Sequence, residues 1–301
     1  MSGFKITQLY GGTVGNVKLI EGRAVLKTQR KWERNFDPSS WRREYDFYMS
    51  DFGKLFTDSF RWAECYHAEM NDEGDEYQLW LEYINGVTGS ELTGEMYERA
   101  AYEMGRFQGR LYAENPAQLQ SLTNLSDTGF LKKNYLHYRG WKEMYDYIRH
   151  DDCEIPGHLC RMLIGIDEDS DNIFSRIEKL PVVLCHRDFW VTNIFCTEQG
   201  IRLIDWDTSG RGYFGEDIAC LLADEADVEN MTEHYRKCVP AYYKGFSEYA
   251  DISHIKDDCV YELILIMFGY RLAEWYKYAE TPEEKELQLR TLQKIYEIKS
   301  S

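Results

Sequence analysis

Three short apolar runs, VVLC (182–185), NIFC (193–196) and IRLID (201–205), interrupt a stretch that otherwise reads as helix from residue 93 to residue 298. The chain before them reads as strand: FKITQLY (4–10), NVKLIEG (16–22) and RAVLKTQ (23–29), separated by GGTVG and Glu21-Gly22, then RWAECYHAEM (61–70) and EYQLWLEYI (76–84) around an NDEGD turn. Pro38-Ser39-Ser40 offers a helix start for WRREYDFYMSDFG, ending near Gly53. The expectation is an α+β chain: a small antiparallel β-rich lobe, a connecting segment, and a larger helical lobe with a β-island planted in it.

Helical periodicity begins after Thr93, with apolar or small residues at 97, 100, 101, 104, 107 and 111. Further helices are expected at about 128–149, 168–180, 216–226, 231–249, 255–279 and 282–298. Thr281, Pro282 and Glu284 stand in the cap, first-turn and capping-box positions of the last.

The polar residues of the island carry its chemistry. His186, Arg187 and Asp188 follow the first run, Asn193 lies five residues beyond Asp188, and Asp205 follows the hairpin, so all can return to one side of a loop. Phosphoryl transfer needs phosphates held, a metal placed and an acceptor hydroxyl aligned. Asp188 suits the hydroxyl, and the Asn193 amide oxygen and Asp205 carboxylate are hard ligands suited to Mg²⁺ carried in on ATP. An Asx-rich turn between two strands would use the same residue types. Two earlier features decide for chemistry: a glycine turn, GGTVGNV, able to fold over phosphates, and Lys27 at the end of the third strand with Glu44 as its partner. The glycine turn matches neither a P-loop nor a Rossmann fingerprint.

HRDFWVTN resembles the catalytic loop HxDxxxxN of the protein-kinase-like superfamily, and IDWD stands where protein kinases carry DFG. More closely, the chain is similar to the aminoglycoside phosphotransferase/choline kinase family: LEYINGVTG resembles its hinge, LIDWDTSGRG its metal-binding segment, and Glu216-Asp217-Ile218-Ala219 its following helix start. The resemblance runs from the glycine turn to the C-terminal helices. It implies a two-lobed protein-kinase-like fold, with a nucleotide lobe at 1–83, a hinge at 84–93 and a helical catalytic and substrate lobe at 94–301. It further implies that Asp188 is the catalytic base and that Asn193 and Asp205 bind magnesium. Lys27 would contact ATP phosphates and pair with Glu44, and Gly12 and Thr13 would lie over them. The Glu82 carbonyl and Ile84 amide would meet adenine, and His186 and Asp217 would brace the loop. Arg187 departs from the glycine that many members carry there. The lack of DFG and of an APE-type segment argues against a protein substrate.

The acceptor is less defined. Residues 215–235 hold seven acids, Asp224 and Glu225 among them, and no Lys or Arg. Such a run suits a cationic acceptor, with an aminoglycoside as first guess and a choline, ethanolamine or amino-sugar kinase as alternative; solvated helix faces explain it equally. Trp275 and Tyr278 in GYRLAEWYKYAE are candidates for a cation–π box or for plain core packing. A catalytically weak nucleotide-binding scaffold is the alternative from another class. The net charge of -17, from 35 basic and 52 acidic residues, argues against nucleic-acid and anionic-membrane partners. Eight cysteines without a CxxC pair, behind a start lacking a signal peptide, point to reduced thiols and a cytoplasmic location. The resemblance implies ATP, with GTP as the alternative, and Mg²⁺ as cofactors, and the oligomeric state is left as monomer or homodimer. The longest apolar run, 260–270, contains Glu262 and is too short to span a bilayer.

Overall fold

The computed structural model describes residues 5–9, 15–224, 227–256 and 258–300. Strands β1 (Ile6–Leu9), β2 (Gly15–Ile20), β3 (Ala24–Arg30), β5 (Cys65–Met70) and β6 (Glu76–Glu82) form an antiparallel sheet in the order β1-β2-β3-β6-β5. Alternation along β6 buries Tyr77, Leu79 and Leu81 on one face, where they meet Trp41, Ala63 and Ile84. Lys27 lies opposite Leu79 in the β3–β6 register, so its side chain enters that covered face.

Two segments differ from expectation. The helix expected after Ser40 is three pieces: a 3₁₀ turn (Ser40–Arg42), α1 (Arg43–Tyr48) and a second 3₁₀ turn (Asp51–Leu55). Ser50 makes the break, donating to the Phe47 carbonyl at 2.7 Å while accepting from the Phe52 amide at 3.1 Å. The strand expected at 61–70 also divides. Its first part, β4 (Phe60–Trp62), leaves the N-terminal sheet and pairs in parallel with β9 (Ile201–Leu203), beside β8 (Ile194–Cys196). Alternation shows which residues share a face and does not name the strand that will pair with them.

The β-island contains one more pair than expected. Strand β7 (Val182–Cys185) pairs antiparallel with β10 (Gly210–Tyr213), whose sequence GRGY carries almost no strand signal. Among the helices, α2 (Gly94–Glu114) starts where Thr93 accepts from the Met96 amide and ends at left-handed Asn115. After α3 (Ala117–Gln120) and α4 (Gly129–Gly140), the helix expected through residue 149 breaks at Lys142 and Glu143, both at positive φ, before α5 (Met144–Tyr147). The helix expected at 168–180 is α7 (Ser170–Ile177), and ahead of it stands α6 (Gly157–Glu168), for which no helix was expected. The remainder are α8 (Glu216–Ala223), α9 (Met231–Ser247), α10 (Cys259–Tyr278) and α11 (Pro282–Ser300). The capping box of α11 forms, with the Thr281 amide donating to Glu284 and the Glu284 amide to Thr281 Oγ1. Among the described residues, no helix is long and apolar enough to cross a membrane.

The larger core surrounds α2, α8 and α10, and it recruits Phe47, Phe52, Leu55 and Phe60 from the N-terminal third. Phe56 stacks on Phe107 at 5.2 Å, and Phe52 meets Trp206 edge-on at 5.3 Å. The α2–α9 crossing is closer than side chains normally permit. A Cβ at Gly105 would lie within 3.0 Å of the Tyr242 backbone, and one at Gly245 would strike the Tyr102 carbonyl. Gly105→Ala should therefore cost about 1–3 kcal/mol, read as a lower denaturation midpoint. Gly165→Ala, in a helix with open space at that position, should be neutral or slightly stabilising.

Candidate active site

Asp217 opens α8, and its carboxylate receives two backbone amides of the loop after β7. His186 N donates to Oδ2 at 3.0 Å and Arg187 N to Oδ1 at 2.8 Å. Gln108 Nε2 adds a third donor at 2.8 Å and also donates to the Leu184 carbonyl, while its own carbonyl accepts from Tyr242 at 2.6 Å. The α2–α9 contact thus carries a polar chain to the loop. Gln108 falls on the apolar stripe of α2, four residues after Met104, and a polar residue on such a stripe is the signal that would have found it.

His186 is buried, and burial pushes its imidazole down to about 4, so it stays neutral. Nε2 faces the Ile204 carbonyl at 3.0 Å and so carries the proton, leaving Nδ1 to accept from the Asp188 amide at 3.3 Å. The ring ties the Asp188 loop to the segment leading into Asp205, and Thr208 adds a bond to the His186 carbonyl at 2.8 Å.

Arg187 occupies the left-handed region, φ 64. That conformation costs a residue with a Cβ about 1–2 kcal/mol, which explains a glycine there in similar chains. Contacts offset the strain here: the guanidinium donates to Ser126 Oγ, to the Asp127 carbonyl at 3.0 Å and to the Arg211 carbonyl at 2.6 Å. It also lies 3.5 Å from Glu216 and 4.7 Å over Phe130. Its side chain is 4% exposed, so it staples the loop to β10.

Asp188 and Asn193 close on each other, with Asn193 Nδ2 donating to Asp188 Oδ2 at 2.8 Å and to its carbonyl at 3.0 Å. Burial, then the charges of Asp205, Asp224 and Asp207, push the Asp188 carboxyl up to about 7, against the pull of Arg34. Lys27 Nζ bridges Glu44 at 2.5 Å and Asp205 at 2.7 Å. Burial works against its charge, but Asp205 and Glu44 outweigh that and hold it well above the ordinary lysine range. Burial likewise opposes the Asp205 carboxylate, yet Lys27 keeps it below the usual carboxylate range. Asp205 too is left-handed, φ 66. Arg34 reaches Asp207 at 3.4 Å, and buried Arg43 joins Asp37 at 2.7 Å to the Asp207 carbonyl at 2.7 Å. Neither arginine is marked by sequence pattern.

Two oxygens are unspent. Asn193 Oδ1 and the Asp205 oxygen opposite Lys27 accept no hydrogen bond among the described residues. They fit a hard cation, but no group of three or more His, Cys, Asp or Glu stands ready to cage one among the described residues. An ion here therefore needs oxygens from a bound ligand as well.

Elsewhere the expected residues scatter. Gly12, Thr13 and Glu225 lie outside the described residues. Glu82 ends β6, and its side chain is held by Arg61 at 3.3 Å and the Glu64 amide at 3.1 Å; Ile84 follows, buried. The connecting chain is then fixed to β8, with Val87 and Cys196 exchanging both backbone bonds at 2.8 and 2.9 Å. Asp224 is buried at the end of α8 and pairs with Arg271 at 3.5 Å. Trp275 and Tyr278 line a cleft of about 740 Å³ with Ala223 and Glu274, but Arg271 already covers the Trp275 ring at 4.3 Å and Lys142 the Tyr278 ring at 3.8 Å.

Comparison with solved structures places this geometry among known folds. A choline kinase from Cryptosporidium parvum Iowa II shares 16% identity over 99% of this chain and 90% of its own, with a TM-score of 0.63. The GDP and kanamycin complex of APH(2")-IIia shares 13% over 98% and 93%, also at 0.63. A Plasmodium vivax ethanolamine kinase shares 14% over 99% and 83%, at 0.56. At these identities the likeness establishes a protein-kinase-like fold. No curated protein sequence matches the chain significantly. The sequence profile of the Phosphotransferase enzyme family (APH) matches residues 58–246, well over half of the chain, from β4 through the His186–Asn193 loop to α9, and the protein belongs to that family.

Proposed function

We propose that the chain transfers the terminal phosphoryl group of Mg·ATP, with GTP as the alternative donor, to a hydroxyl of a small molecule. The observation that carries this is Lys27 spanning Glu44 and Asp205, beside a loop in which Asp188 is braced by Asn193. A structural ion pair needs one acid; a lysine between two acids, one of them next to unspent metal-suited oxygens, is a phosphate site in waiting.

In this scheme Glu44 aims the Lys27 ammonium at the α- and β-phosphates, and the Ile84 amide and Glu82 carbonyl take the adenine edge. Asn193 and Asp205 hold the metal, which supplies charge neutralisation at the phosphates when bound. Asp188 orients the acceptor hydroxyl and accepts its proton, a task suited to a carboxyl pushed up to about 7 by burial. His186 and Asp217 act only by holding the loop. The scaffold alternative needs Lys27 and Asp205 but has no use for Asp188.

Mg·ATP should raise the melting temperature of the wild-type chain, by about 2.7 kcal/mol of stabilisation at a hundred times Kd. Asp205→Asn should erase the magnesium-dependent part of that shift; an undiminished shift removes Asp205 from the metal site. Asp188→Asn should lower kcat by roughly 10²–10⁴-fold while leaving the Kd for Mg·ATP within about threefold. Full turnover in that variant would favour a scaffold with adventitious hydrolysis.

A further inference from the structure

Arg271 has more hydrogen-bonding capacity than the structure uses. It projects from α10, its guanidinium lies 4.3 Å over Trp275 and 5.5 Å over Phe268, and Nη1 stands 3.5 Å from Asp224 Oδ2. Among the described residues it makes no hydrogen bond, and its Nε is buried without a partner. A guanidinium carries five donors in a planar fork. Arg43 spends its donors on Asp37 and on the Asn124 and Asp207 carbonyls, and Arg187, whose Nε is also without a partner, still donates through both Nη groups to Ser126 and to neighbouring carbonyls.

Its position is beside the chemistry. Helix α8 begins with Asp217 under the catalytic loop and ends at Asp224. Midway, Cys220 Sγ lies 3.8 Å from the Arg187 carbonyl and 3.8 Å from Asp224 Oδ2. A continuous line thus runs from the residue preceding Asp188 through Cys220 and Asp224 to Arg271, and the Asp224 charge is felt at Asp188. The side chain remains 27% exposed, open for a ligand.

The same neighbourhood is poorly furnished for a cation. Trp275 and Asp224 are engaged by Arg271, and Tyr278 and Glu274 by Lys142, at 3.8 and 2.9 Å. A quaternary ammonium would have to displace the chain's own cations from both rings and both acids.

Building on the phosphotransferase reading, we infer that Arg271 receives a carboxylate of the acceptor, so that the substrate is a hydroxy acid or hydroxy amino acid. The planar fork, stacked on Trp275 and steadied by Asp224, matches a carboxylate edge-on.

The test uses acceptor pairs that differ by the carboxylate alone: serine and ethanolamine, glycerate and ethylene glycol, glucuronate and xylose. ADP release with Mg·ATP is followed for the wild-type chain, Arg271→Gln and Arg271→Lys. The wild type should favour the acid of at least one pair by about tenfold or more in kcat/KM. Arg271→Gln should cut that value roughly 10- to 100-fold and collapse the preference, and Arg271→Lys should fall between. A lost fold would lower both members of a pair alike; only a lost carboxylate contact changes their ratio. Equal or better turnover of the decarboxylated members, an unchanged ratio in Arg271→Gln, or no acid raising ADP release above the acceptor-free rate would each overturn the inference. Failure of the wild type to bind Mg·ATP, read by thermal shift without any acceptor, would instead sink the kinase reading and this inference with it.

Discussion

One carboxylate organises the catalytic region. Asp217 accepts the amides of His186 and Arg187 and the side chain of Gln108, and without it three buried donors would lose their acceptor at once. Those two amides fix the chain immediately before Asp188, and the left-handed turn at Arg187 exists only because both ends of that residue are held. Gln108 is itself set by Tyr242, and Tyr242 reaches it because Gly105 and Gly245 let α2 and α9 lie against each other. A packing feature of two helices is thus converted, through three hydrogen bonds, into the placement of the Asp188 loop.

The second tie runs between the lobes. Lys27 comes from the N-terminal sheet, Glu44 from α1 and Asp205 from the segment after β9, so a single ammonium joins three parts of the chain. Arg43, just before Glu44 in α1, repeats the pattern, bonding Asp37, the Asn124 carbonyl and the Asp207 carbonyl. Buried pairs of this kind are costly to desolvate and contribute more to uniqueness than to stability. Their cost is tolerable here because every charge has its partner within the cluster.

Much of this was legible in sequence. The Asp188–Asn193–Asp205 spacing, Lys27 and Glu44 come together in space, because strand ends and a short loop leave few places for polar residues to go. The capping box at Thr281 and the cap at Thr93 are local, and local chemistry reads directly. What escaped depends on partners distant in the chain. GRGY forms a strand because β7 offers it an edge, and glycine there allows close approach that periodicity cannot register. The helix through 128–149 breaks at Lys142 and Glu143, neither of which carries a breaker signal. Arg187 looked anomalous until its φ and its contacts to Ser126, Asp127 and Arg211 showed a staple. Asp224, Trp275 and Tyr278 were visible by type, but their pairing with Arg271 and Lys142 was not.

The departure of β4 from the N-terminal sheet has a mechanical meaning. Phe60–Trp62 belongs to the island through β9, while β5, three residues later, belongs to the sheet. The chain therefore passes between the two bodies three times: between β3 and β4, again at 62–65, and again at 82–87, where Val87 is clamped to Cys196. Three covalent crossings, with the Lys27 and Arg43 ion pairs beside them, leave the sheet far less freedom to turn against the larger body than a single linker would.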